Sequence, residues 1–187
     1  YGAAGIGLLR SEFQYLGREN YPRENELFHA YKKIAETMGD RLAVIRTADL
    51  GADKQAAYLN IPDETNPIMG NRGIRLSLDR KKMFKAQLRA IFRASEYGYL
   101  AIMFPMISSE EEMDEIEAMI EEVTNGLDER GIPYKNIRTG IMIETPAAVM
   151  ISGELAREVD FFSIGTNDLL QLTLGMDREN PKLDKYY

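Results

Sequence analysis

The sequence predicts an α/β fold built around a parallel β-sheet, and two observations lead to this prediction. Short apolar segments rich in β-forming residues alternate along the chain with longer segments of helical period, as in βαβ units. The apolar segments are also nearly continuous hydrophobic runs, which is typical of strands covered on both faces. The chain has 187 residues, whereas a closed eight-stranded barrel takes about 250. The pattern therefore predicts either an open doubly wound sheet or an incomplete barrel.

Five segments are predicted strands because each is a short apolar run bounded by turn-forming or charged residues. In chain order they are residues 3–10, 42–47, 99–107, 138–145 and 159–166. No internal repeat or linker-like change of composition divides them. A single domain over residues 1–187 is therefore expected.

The first two predicted helices are recognised from apolar residues that recur on one face. The first covers residues 23–38 and should stop at Gly39, a residue type that favours helix C-termini. The second covers residues 79–97 and should end at Gly98. Both helices lie between predicted strands, as crossover connections require.

The next two helices carry clear start signals. The serines at 108–109 stand three residues before the glutamates at 111–112, the spacing of a capping box, and the apolar face continues to Leu127. A fourth, short helix should begin at Pro146 with Thr145 as its N-cap, since proline is favoured in the first helical turn.

Composition narrows the functional class. The chain is 44% hydrophobic and 28% charged, as is ordinary for a folded domain, and contains no cysteine. The formal charge of −7 argues against nonspecific nucleic-acid binding, which needs a basic surface. No apolar run is long enough for a membrane span, and no signal-peptide pattern opens the chain. We therefore expect a cytoplasmic protein without membrane insertion.

Polar side chains follow the predicted strands at their carboxyl ends. They are Arg10, Arg46, Glu144, Asn167 and Asp168. Because the carboxyl ends of parallel strands share one edge of a sheet, these residues should converge despite their separation in sequence. Separate surface ion pairs or helix caps are the alternative, and for the stretch after the last strand the cap could come from Thr166, Asn167 or Asp168.

The convergent set suits a small phosphorylated acid. Glu144 and Asp168 are oxygen ligands of the kind that hold Mg²⁺. Arg10 and Arg46 offer planar donors for phosphate oxygens. Asn167 and the backbone N–H groups opening the next helix could receive a carboxylate. The sequence therefore predicts a Mg²⁺-dependent site for an anionic phosphate ester.

Several long motifs in order resemble the C-terminal phosphoenolpyruvate-binding barrel of Enzyme I of the sugar phosphotransferase system. The motifs are "GIGLLRSEF", "VIRTADLGADK", "NPIMGNRGIRL", "IMFPMI", "IMIETPAA" and "DFFSIGTNDLLQLTLGMDR". The resemblance implies an incomplete (β/α)8 TIM barrel covering about strands two to six. Pyruvate phosphate dikinase and phosphoenolpyruvate synthase have similar motifs and are alternative assignments. A lyase of the aldolase type is a third alternative, which the motifs favour less.

The resemblance also implies roles for individual residues. Arg10 and Arg46 match arginines that grip the phosphoryl group, and Glu144 and Asp168 match the Mg²⁺ ligands. Asn167 and the backbone at Asp168 match substrate contacts. Arg178 and Arg75 match further substrate arginines; Arg72 belongs to the same motif as Arg75.

The implied reaction moves the phosphoryl group of phosphoenolpyruvate to a histidine and on to the histidine-containing phosphocarrier protein. In this family the acceptor histidine lies in an N-terminal domain and the proton donor is a cysteine beyond a later strand. We expect both regions to be absent here, so no catalytic residue is expected within this chain. His29 is expected to be an ordinary helix residue. The resemblance also implies a homodimer. The alternative to a ligand-binding domain is a folded remnant that self-associates through its exposed sheet edges and binds no ligand.

Overall fold

The computed structural model describes residues 2–51 and 57–186. Its centre is a five-stranded parallel sheet in the order β1-β2-β3-β4-β5. The strands are β1 (Ile6–Arg10), β2 (Ala43–Arg46), β3 (Leu100–Phe104), β4 (Arg138–Ile143) and β5 (Phe161–Ile164). Each lies within a predicted strand segment, and the flanking residues enter loops. The sheet curls into part of a barrel, so the predicted incomplete α/β barrel is confirmed, while the assignment to strands two to six stays a prediction.

Seven α-helices connect or follow these strands in the described ranges. They are α1 (Glu24–Met38), α2 (Ile74–Asp79), α3 (Lys81–Ser95), α4 (Glu110–Asp128), α5 (Pro146–Met150), α6 (Ser152–Leu155) and α7 (Thr166–Leu174). The helix predicted over residues 79–97 is α3. Sequence periodicity missed α2, which is separated from α3 by Arg80 in a non-helical conformation with φ −102° and ψ 52°.

The predicted helix ends are confirmed at three positions. Gly39 follows α1 with a φ of +59° and donates its N–H to Ala35 O at 2.9 Å. Ser109 caps α4 in a reciprocal capping box with Glu112, and Thr145 caps α5 by accepting the N–H of Ala148 at 3.0 Å. These caps satisfy backbone groups that would otherwise lack partners at the helix ends.

The main hydrophobic core lies between the outer face of the sheet and the helices. Its largest fully buried residues include Leu27 and Tyr31 of α1, Phe84 and Ile91 of α3 and Phe104 of β3. A Cβ built at Gly98 would lie 2.4 Å from Ala35 O. Glycine therefore follows α3 because the chain passes directly against α1. A second, smaller cluster lines the inner face of the sheet and includes Val44, Met103 and Met142.

The two edge strands are only partly covered. On β5, Ile164 is 67% exposed and Phe162 39%, while Phe161 packs against Gly140 of β4. On β1, Leu8 is 41% exposed. The segment predicted as a strand over residues 159–166 thus contains β5, which is one of the two edges of the described sheet.

No helix in the described ranges is both long and apolar enough to cross a bilayer.

Candidate functional site

The carboxyl ends of the strands surround a cleft of about 320 Å³. The register explains why: Arg10 pairs with Arg46 across β1 and β2, and Ile143 pairs with Ile164 across β4 and β5, so the strands end at one level. The polar residues lining the cleft include Arg10, Arg46, Asp49, Glu144, Asn167, Asp168 and Arg178. All the predicted site residues except Arg75 therefore meet at this rim.

Arg10 and Arg46 differ in exposure although they are register neighbours. The side chain of Arg10 is 48% exposed, whereas that of Arg46 is 6% exposed. Arg46 Nη2 donates to Glu12 Oε1 and lies 3.3 Å from Asp49 Oδ2. Burial opposes the charge of Arg46, but Asp49 and then Glu12 raise its pKa above the ordinary value. Arg46 is therefore a fixed cation on the cleft wall.

Glu144 follows β4 directly and is 1% exposed. Its Oε1 accepts the backbone N–H of Met106 at 2.8 Å. Burial raises the pKa of Glu144 to about 7, with Asp49 adding to this effect and the Met106 hydrogen bond opposing it. The residue is thus a carboxyl group whose pKa is held close to neutral pH by its surroundings.

Asp168 is bound by two arginines from different parts of the chain. Arg178 Nη1 donates to its Oδ1 at 3.1 Å, and Arg72 Nη2 lies 3.5 Å from its Oδ2. Arg72 also donates to Asp49 Oδ2 at 2.9 Å. Arginines and carboxylates therefore alternate along the series of ion pairs that runs around the rim from the end of β1 to α7.

The turn between β5 and α7 bears on whether the polar residues after the last strand cap the next helix or line the cleft. Gly165 occupies the N-cap position of α7, and the three polar residues that follow it, at 166–168, lie within the helix rather than at its cap. A Cβ at Gly165 would lie 2.6 Å from Glu144 Oε2. Glycine is therefore needed here to make room for the Glu144 carboxylate, and the polar residues Asn167 and Asp168 line the cleft instead.

Arg75 is not among the described residues that line the cleft, and its expected contact with substrate stays a prediction. Its guanidinium donates to the backbone oxygens of Met69 at 3.0 Å and Gly70 at 3.3 Å, so it fixes a loop. Arg72 of the same motif faces Asp49 and Asp168. Gly73, with a φ of +58°, turns the chain between the two arginines.

Sequence reasoning also missed Glu12 and Asp49. Both are buried, at 2% and 1% exposure, beside Arg46. A buried guanidinium needs an opposite charge, and "RSEF" and "RTADLG" each supply a carboxylate within three residues of a predicted site arginine. That spacing was the available signal, although it does not reveal which partner each arginine takes.

The donor set of the cleft fits Mg²⁺. Within the ranges 2–51 and 57–186, no three His, Cys, Asp or Glu residues form a ready-made metal cluster. Mg²⁺, however, is commonly held by one or two carboxylates together with water and substrate oxygens. The carboxylates of Asp49 and Asp168 both raise the pKa of Glu144, a mutual repulsion that a cation would relieve. The assignment of Glu144 and Asp168 to the ion stays a prediction.

Comparison with known proteins agrees with this geometry. The family model described as "PEP-utilising enzyme, PEP-binding domain", where PEP is phosphoenolpyruvate, matches residues 1–187. Curated phosphoenolpyruvate-protein phosphotransferases match over the whole chain: that of Haemophilus influenzae at 52% identity, that of Buchnera aphidicola subsp. Schizaphis graminum at 50% and that of Staphylococcus aureus at 48%. The chain spans 32%, 33% and 33% of these relatives.

A crystal structure of a citrate lyase from Burkholderia xenovorans LB400 is similar over 54% of this chain and 32% of that chain. Its sequence identity of 24% and TM-score of 0.41 are too low to inform the function. The resemblance predicted from the motifs is confirmed by the family match over the full 187 residues. The chain therefore belongs to the family of PEP-utilising enzymes, as their PEP-binding domain.

Proposed function

We propose that the cleft binds phosphoenolpyruvate together with Mg²⁺, as part of a phosphoenolpyruvate-protein phosphotransferase. The observation that carries this proposal is the meeting of Arg10, Arg46 and Arg178 with the carboxylates of Glu144 and Asp168 at one rim. Cationic forks beside oxygen ligands match a ligand that has a phosphoryl group at one end and a carboxylate at the other. The names of the curated relatives support the same ligand.

Each residue has a distinct task in the proposed site. Arg10 and Arg46 hold the phosphoryl oxygens, and the buried Arg46 orients them because its own position is fixed. Asn167 donates to the substrate, and Arg178, now paired with Asp168, can turn one donor toward it. Mg²⁺, when bound at Glu144 and Asp168, would neutralise charge on the transferring group.

The acceptor of the phosphoryl group must come from outside this chain. His29, the single histidine, lies exposed on α1 and is not among the cleft residues, and the sequence has no cysteine to protonate the enolate carbon. We propose that a histidine of a further domain accepts the group and passes it to the histidine-containing phosphocarrier protein for sugar uptake. The cytoplasmic location and the homodimer expected from the sequence stay predictions.

Calorimetric titration of phosphoenolpyruvate into the chain tests the proposal. We expect binding in the presence of Mg²⁺ that is lost when EDTA is added. Glu144→Ala and Asp168→Ala should each weaken binding by roughly tenfold or more, because neither carboxylate alone makes an adequate site. Glu129→Ala, which removes an exposed carboxylate near the end of α4, is the matched control. Binding that is equally strong in EDTA would refute the metal assignment.

The exposed sheet edges favour a second candidate function. Ile164 and Phe162 on β5 and Leu8 on β1 are the kind of apolar surface that associates with a second chain. In this alternative the chain is a self-associating module without ligand affinity. The same titration separates the two, since the alternative predicts no heat of binding for phosphoenolpyruvate under any condition.

A further inference from the structure

Glu12 lies beneath the cleft at the start of the 3-10 helix that follows β1 (Ser11–Gln14). It is 2% exposed. Its Oε1 accepts hydrogen bonds from Arg46 Nη2 and, at 3.1 Å, from the backbone N–H of Asp49. Its Oε2 lies 3.9 Å from Arg10 Nε. One buried carboxylate therefore hydrogen-bonds Arg46 and lies within ion-pair distance of Arg10, the two arginines proposed to hold the phosphoryl group.

The two arginines need such a group. Arg10 and Arg46 are register partners on adjacent parallel strands, whose backbones lie about 4.8 Å apart. Like charges on neighbouring strands repel each other, and Arg46 is too buried for water to screen its charge. Glu12 offsets that repulsion and fixes one Nη of Arg46.

Glu12 also fixes the second partner of Arg46. Asp49 Oδ2 lies 3.3 Å from Arg46 Nη2, and the position of Asp49 is set in part by the hydrogen bond from its backbone to Glu12. Arg46 is thus held directly by Glu12 and indirectly through Asp49. Loss of Glu12 would weaken both restraints together.

The segment that carries Glu12 is itself anchored. Gln87 of α3 donates to Ser11 Oγ and to Tyr31 O–H, both at 2.9 Å, and accepts the backbone N–H of Ala48 at 3.0 Å. A single buried amide therefore ties the residue before Glu12 to the segment after Arg46. Glu12 is absent from the described lining of the cleft, so it acts on a ligand only through other residues.

We propose that Glu12 is a positioning residue that holds Arg46, and with it the Arg10–Arg46 pair, in the orientation required to bind a phosphoryl group. The ligand part of this inference rests on the proposed function. The positioning part concerns only the side chain of Arg46 and can be tested without any ligand.

Three variants separate geometry from charge. Glu12→Ala removes both hydrogen bonds. Glu12→Gln keeps an amide oxygen that can accept both of them but removes the charge. Glu19→Ala removes the same charge from an exposed position on the segment between β1 and α1 and is the matched control.

The first measurement is ligand-free NMR of the Arg46 Nε–H group in each protein, at a temperature where urea unfolding shows every variant to be folded. We expect an ordered guanidinium in the parent, Glu12→Gln and Glu19→Ala, and a mobile one in Glu12→Ala. An equally ordered Arg46 in Glu12→Ala would overturn the inference, whether or not the chain binds phosphoenolpyruvate.

The second measurement is the dissociation constant for phosphoenolpyruvate with Mg²⁺. We expect Glu12→Ala to bind roughly tenfold more weakly, because an ordered charged donor is lost, and Glu12→Gln to recover most of that affinity. Equal or tighter binding by Glu12→Ala would show that Glu12 only dilutes the positive charge, which contradicts the inference. If the parent does not bind, the proposed function fails, and the NMR result decides the positioning role by itself.

Discussion

Replacing Glu144 by glutamine should stabilise the metal-free chain at high pH. Glutamine is nearly isosteric and can still accept the Met106 N–H, which Glu144 binds at 2.8 Å. It removes the ionisation that the site opposes, since burial and the neighbouring Asp49 raise the pKa of Glu144 from 4.5 to about 7. The substitution thus removes the proposed metal ligand, and it also removes the free-energy cost of a buried negative charge.

The sign and size of the effect follow from proton linkage. Because the pKa is higher in the folded state, the stability that Glu144 contributes is fully present below pH 4.5 and is lost as the pH rises through about 7. At roughly 1.4 kcal/mol per pH unit, the loss between pH 5 and pH 8 comes to about 2 to 3 kcal/mol. The glutamine side chain does not titrate, so the Glu144→Gln variant escapes this loss.

Urea unfolding followed by circular dichroism in EDTA at pH 5 and pH 8 measures the difference. We expect the free energy of unfolding of Glu144→Gln, relative to the parent, to rise by about 2 to 3 kcal/mol from pH 5 to pH 8. Glu129→Gln, at an exposed position, should show no such change. A Glu144→Gln difference that is the same at both pH values would refute the reasoning, because it would mean that Glu144 is not held against its charge.

Three further predictions address other features. Gly165→Ala should weaken Mg²⁺-dependent phosphoenolpyruvate binding and destabilise the fold by about 1 to 3 kcal/mol, since the new Cβ would lie 2.6 Å from Glu144 Oε2. The control is Gly126→Ala in α4, where the Cβ meets nothing within 4 Å. In thermal unfolding measurements this control should be neutral or stabilising. The chain alone should not convert phosphoenolpyruvate to pyruvate, because it has no cysteine and its single histidine lies on α1; turnover in a coupled pyruvate assay that survives repurification would contradict this. The exposed edges of β1 and β5 should make the chain self-associate at micromolar concentration; a single folded species of 21.2 kDa in sedimentation equilibrium would show that these edges need no cover.

The convergence of the site was predictable because it depends on topology. Once the strands are parallel and sequential, their carboxyl ends share a rim. Arg46 at the end of β2, Glu144 just after β4 and Asp168 in the first turn of α7 therefore lie close together. The partners of these residues were not predictable in the same way. Glu12 lies in the 3-10 helix after β1 and Asp49 in the loop after β2, and only the paths of these connections bring both to Arg46.

Arg72 and Arg75 illustrate the limit most clearly. They stand in one motif, three residues apart, and carry the same charge, so composition and spacing do not distinguish them. Gly73, whose φ is positive, lies between them: Arg72 pairs with Asp49 and Asp168, whereas Arg75 binds backbone oxygens of residues 69–70. The break at Arg80 is similar: its neighbours favour a helix on both sides, and local backbone geometry alone separates α2 from α3.

The alternation of charge across the rim has a consequence for how a ligand is recognised. In the described chain three of the rim arginines are already paired with carboxylates: Arg46 with Glu12 and Asp49, Arg72 with Asp49 and Asp168, and Arg178 with Asp168 and Glu179. An anion that binds these guanidinium groups must therefore compete with carboxylates of the protein. A divalent cation that enters with the anion supplies a new partner for the carboxylates that the anion displaces. Co-occupancy is thus favoured by an exchange of ion partners within the cleft.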